Sequence, residues 1–172
     1  MELNFNKIII IFAILMLVFS ILFKPLFFVS LIILSVILSY CLGAWHIRGI
    51  GVELVLLITV LTGFAYGPWP AVILGFILIT FHMVVSQHLG VYLLWVIPAY
   101  SAVGFFAGTT AMSIARFGIF ATFALNAFNF LVTLLIMREN VGKFLPFAIT
   151  NVAFNAVVFM FVAPNTLNFV AG

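Results

Sequence analysis

The chain has 172 residues, 67% of them hydrophobic and 5% charged, with six Lys and Arg against three Asp and Glu. A soluble domain of that length needs far more polar surface, so the composition places the chain in a bilayer. A hydrocarbon core about 30 Å thick takes roughly 20 residues of helix, which allows about six or seven crossings and leaves nothing for a soluble domain. The one cysteine, Cys41, excludes an intrachain disulfide and a cysteine metal cluster. The net charge of +3 is dispersed with no basic run, which suits lipid anchoring and not nucleic acid.

In chain order, the N-terminus MELNFNKIIIIFAILMLVFSILFK has an apolar stretch too long for a signal-peptide core and lacks a small-x-small cleavage site. It reads as a retained helix. Breaks at Lys24 with Pro25 and at 45–51, 67–70, 86–90, 113–118 and 138–143 predict helices at 7–23, 26–43, 52–66, 70–86, 91–112, 117–137 and 144–163. The expected fold is an all-α polytopic membrane protein, multi-pass in the cell membrane. It consists of a compact bundle of six core transmembrane helices in residues 25–172 and one extra transmembrane or interfacial helix within residues 1–24. Residues 8–43 as one straight span would far exceed the membrane, so Lys24 and Pro25 predict a tight turn. On seven spans Lys7, Arg48, Arg138 and Lys143 share one side against Lys24 and Arg116, a bias toward a cytoplasmic N-terminus.

The segment at 44–53, AWHIRGIGVE, is the most polar between spans. Trp45, His46, Arg48 and Glu53 combine a stacking surface with both charge signs, as a lid over a small ligand would, although Trp and Arg also serve as interface anchors. Gly67, Pro68, Trp69 and Pro70 leave no residues to spare for a loop and predict a helical hairpin. His82 lies inside a predicted span and is a site candidate, with Gln87 and His88 in the loop after it. Asn126 and Asn129 are spaced i, i+3, and Asn151 and Asn155 i, i+4, so each pair lies on one helix face. Such amides either lock helices together or line a polar cavity for a neutral, heteroatom-rich solute. Tyr92, Trp95 and Tyr100 add aromatic candidates. Three acidic residues and the lack of G-x-S-x-G, H-E-x-x-H, paired carboxylates or a Gly-rich phosphate loop argue against an enzyme. His46, His82 and His88 have no i, i+4 pair for a metal, and no catalytic residue, metal or cofactor is expected.

From residue 26 onward the order of features resembles the substrate-binding S-component of energy-coupling-factor (ECF) vitamin transporters. The resemblance rests on Gly63-Phe64-Ala65-Tyr66-Gly67-Pro68, on VYLLWVIPAYSAVGFFAG with Pro98, Gly104 and Gly108, and on the closing TNVAFNAVVFMFVAP. It implies a small vitamin-like solute held among helices 70–86, 91–112 and 144–163 by Asn151, Asn155, His82, Trp95 and Tyr100, with 44–53 and 86–92 as gates. It further implies a membrane coupling subunit and cytoplasmic ATPases in trans, docked on Ser35, Ser39 and Gly43. The nickel and cobalt relatives are excluded, because MELNFNK lacks their N-terminal histidine motif. The chain is also similar to shape-determining membrane proteins of the MreD type, which share the plan but act as scaffolds in a cell-envelope complex and carry no solute.

Overall fold

The computed structural model describes residues 5–44, 50–86, 90–137, 142 and 144–171, and among them all regular structure is helical. The elements are α1 (Phe5–Ala44), α2 (Val55–Tyr66), α3 (Pro68–Val85), α4 (Leu93–Ala107) and α5 (Ile114–Val132), the last continued by a π-helical turn at Thr133–Met137. α6 (Leu145–Val157) runs through a second π turn at Val158–Val162 into α7 (Ala163–Ala171). Phe23–Ala44, Pro68–Val85, Ile114–Leu135 and Leu145–Ala171 are long and apolar enough to cross a membrane. The protein is an all-α, membrane-embedded bundle.

α2 is the axis. Every residue from Val55 to Gly63 is buried, so a helix apolar around its whole circumference is covered on all sides, as its composition requires. Lipid is as apolar as leucine, so close packing and not water exclusion must hold such a helix. Small residues provide it: a Cβ at Gly75 would lie 2.8 Å from Thr59 Cγ2, and one at Gly104 2.7 Å from the Ala71 carbonyl oxygen. The α2–α3 hairpin turns on Gly67, whose φ of 93° suits glycine, with Pro68 opening α3 at the position where a missing N–H costs nothing. Gly108, just after α4, packs against Pro68.

These contacts define two ends of the bundle. The turn end holds Gly67 and the α4–α5 connection at 108–113. The polar end holds the C-termini of α1, α3 and α5 and the N-termini of α2, α4 and α6. Phe159, fully buried, lays its ring on the bare backbone of Gly118 and ties α5 to the π turn after α6.

Two prolines behave differently from the expectation. No turn occurs at Lys24 and Pro25; α1 is one helix of 40 residues, about 60 Å long, so the extra N-terminal helix and the first core helix are a single element. A proline inside a helix removes one backbone hydrogen bond and leaves the rest of the ladder intact, so α1 carries Pro25 without breaking. Phe23 and Phe27 meet Phe169 of α7 edge-on at 5.4 and 4.9 Å, and the backbone of α1 continues beyond that level. Likewise the last rod does not stop at residue 163 but reaches Ala171, because the π turn before Pro164 widens the backbone where the ring would strike the preceding turn. Elsewhere the differences are a few residues, as where α4 ends at Ala107 and α5 begins at Ile114.

The continuous α1 also changes the charge balance. The turn expected at Lys24 and Pro25, which set Lys7 and Lys24 on opposite sides of the membrane, is absent, so the four-to-two division of positive charge does not hold.

Candidate functional site

α2 has 12 residues and its hairpin partner α3 has 18, so α2 stops about 9 Å short of α3 at the polar end. Residues 50–54 descend into that gap. Gly51 N–H donates to Thr150 Oγ1 at 2.8 Å, and Asn151 Nδ2 donates to the Gly51 carbonyl at 2.8 Å. A Cβ at Gly51 would strike the Phe147 carbonyl and lie 2.5 Å from Asn151 Cβ, which is why glycine stands there. Asn126 Nδ2 donates to Asn151 Oδ1 at 2.8 Å and to the Thr122 carbonyl at 2.9 Å, and Asn155 Nδ2 donates to the Asn151 carbonyl at 3.1 Å. Asn151 thus latches the chain entering α2 to both α5 and α6.

Below the latch sits Glu53, 3% exposed. A buried lone carboxylate is very costly, and here two donors offset that cost. Leu56 N–H donates to Oε2 at 3.0 Å, and Tyr100 O–H donates to Oε1 at 3.1 Å. The carboxylate also faces the positive end of α2. Tyr100 reaches it because helical side chains lean toward their own N-terminus, here the polar end.

Several buried polar atoms beside this network have no hydrogen-bond partner: Asn126 Oδ1, Asn129 Oδ1, Asn155 Oδ1, Thr133 Oγ1 and Trp95 Nε1. Asn155 is fully buried, so its oxygen is an acceptor held ready in a dry place. A buried acceptor left unpaired costs about 1–3 kcal/mol, and a ligand's donor would relieve that cost.

Of the residues expected from sequence, the structure joins Glu53, Tyr100, Asn126, Asn151 and Asn155, with Asn129 half-buried one turn beyond Asn126. Trp45, His46, Arg48, Gln87 and His88 lie outside the described residues. Tyr92 and Trp95 pair their rings at 5.2 Å at the start of α4. His82 is not brought to the amides: its Nδ1 lies 2.9 Å from Ser39 Oγ across the α1–α3 seam. The docking stripe is also turned inward. Ser35 and Ser39 are buried and Gly43 packs on the Val85 carbonyl, so these small residues seat α1 on α3 and are not open to a partner. The outward face of α1 carries Leu26, Val29, Ile33, Ile37 and Tyr40 instead.

Thr150, Gly51 and Thr133 were not singled out from sequence. Thr150 adjoins a candidate amide and Gly51 lies in the polar segment, a usable signal; nothing marks Thr133. An open groove of about 590 Å³ at the turn end is lined by Phe28, Tyr66, Trp69, Pro70 and Ile73, with the nearby Thr62 hydroxyl donating to the Ile58 carbonyl. It offers a solute nothing polar. Among the described residues no three His, Cys, Asp or Glu gather as a metal site requires. No family model, curated protein or solved structure matches this chain.

Proposed function

We propose that the protein is the solute-binding subunit of an ATP-driven uptake transporter of the ECF type, multi-pass in the cell membrane, taking a small vitamin-like molecule. The observation that carries this reading is the latch: the segment leading into α2 hangs on Asn151 over buried amide oxygens that have no partner. Lids over internal sites need attachments of this kind, because a few hydrogen bonds hold the closed form and water can replace them in the open one. Conformational change is driven by a coupling subunit and ATPases in trans, since the chain carries no nucleotide-binding motif of its own. Docking falls to the outward face of α1, because the small-residue stripe is occupied within the bundle.

A scaffold of the MreD type is the second reading, favoured by an axis buried without a break from Val55 to Gly63 and made mostly of Val, Leu and Ile. Native mass spectrometry of the gently purified protein separates the two. A stoichiometric small molecule, lost in Asn155→Leu while the melting temperature is kept, supports the solute subunit. An empty chain that stays bound to another membrane protein supports the scaffold.

A further inference from the structure

Asn151 spends both halves of its amide, with Nδ2 on the Gly51 carbonyl and Oδ1 on Asn126. Asn126 and Asn155 spend only their NH2 groups, and both oxygens are unpartnered. The assignment cannot be reversed by flipping either amide. Each NH2 faces a backbone carbonyl, of Thr122 and Asn151 respectively, and a flip would set oxygen against oxygen. Amides that served packing alone would be matched on both halves, as Asn151 is. What remains on these two amides is acceptor capacity, in side chains at least nine-tenths buried.

The same holds along α5 toward the polar end. Asn126, Asn129 and Thr133 follow at i, i+3 and i+7, on one face, and each has a buried oxygen without a partner. Thr133 also begins the π turn, where the ladder departs from its usual spacing, a frequent mark of function.

Resting on the solute-binding reading, we infer that the solute presents two N–H or O–H donors to Asn126 Oδ1 and Asn155 Oδ1. Asn129 and Thr133 offer acceptors along its way in from the polar end. A molecule bearing only acceptors would leave both amide oxygens unpaired.

The test begins with the molecule retained by the wild-type protein purified from its native membranes, identified by mass spectrometry. Its affinity is then compared with that of its N- or O-methylated analogues, and with its affinity for Asn155→Asp and Asn155→Leu. The expected ligand carries at least two N–H or O–H donors. Methylating one donor weakens binding about tenfold or more, because a buried acceptor is again left unpaired. Asn155→Leu, which removes the oxygen, loses tenfold or more, and Asn155→Asp, which sets a carboxylate oxygen against the Asn151 carbonyl, also weakens binding. Where Asn155→Leu melts too low for use, Asn129→Leu takes its place, with weakened binding expected. A ligand that lacks two donors or is indifferent to methylation, yet is sensitive to either Leu variant, overturns the donor assignment and leaves the solute reading standing. A wild-type chain that retains nothing overturns both.

Discussion

The two ends of the bundle are joined by different physics. At the turn end, backbone lies on backbone: Gly108 against Pro68, and Gly63 against Ala107, where an added Cβ would come within 2.6 Å of its neighbour. At the polar end, the chain from Gly51 to Glu53 is held by side-chain hydrogen bonds from Thr150, Asn151 and Tyr100. Dispersion contacts are lost outright when surfaces part, so the turn end has one arrangement. Hydrogen bonds can be exchanged for those of water or a ligand at small net cost, so the polar end can have two. A bundle that must open keeps one end fixed and makes the other exchangeable.

The contrast can be broken by mutation, and the largest effect belongs to the fixed end. Gly108→Val forces a side chain into Pro68 backbone that cannot yield, and a loss of about 3 kcal/mol or more is expected as a lower melting temperature in detergent. A melt unchanged from wild type would mean that the turn end is not close-packed. Next comes Asn151→Leu, which strands the Gly51 carbonyl and an Asn126 N–H; about 2 kcal/mol is expected. Hydrogen exchange should quicken at 50–54 and stay slow at 60–75, and uniform quickening would show that the ends are not separable. Tyr100→Phe removes one donor from the Glu53 carboxylate and should cost about 1 kcal/mol, with faster exchange at the start of α2. Ser39→Ala, on the α1–α3 seam, is expected to cost only about 0.6 kcal/mol and to leave solute affinity untouched. A changed affinity would bring His82 back into the site.

Local signals read well and long-range pairings did not. Gly67 with Pro68 gave the hairpin, with α2 ending where expected and α3 starting two residues early, and the i, i+3 and i, i+4 amides share faces as their spacing requires. That Asn151 would bond Gly51, a hundred positions away, depends on how six rods pack, which no periodicity encodes. The stripe of Ser35, Ser39 and Gly43 was visible as a close-packing face, but the sequence does not say whether the neighbour is α3 or another protein. Pro25 and Pro164 misled because an interior proline removes one backbone hydrogen bond without having to end the helix, and both rods run on through it.

α2 carries a consequence for biosynthesis. At about 18 Å it is too short to cross a 30 Å hydrocarbon core, and its neighbours on every side include helices synthesised after it. It has no stable place in the bilayer on its own, so it enters with α3 as one hairpin, committed by the Gly67 turn. A topology reporter fused after Tyr66 should give mixed orientations and one fused after Val85 a single orientation; a single orientation at both would show that α2 inserts unaided.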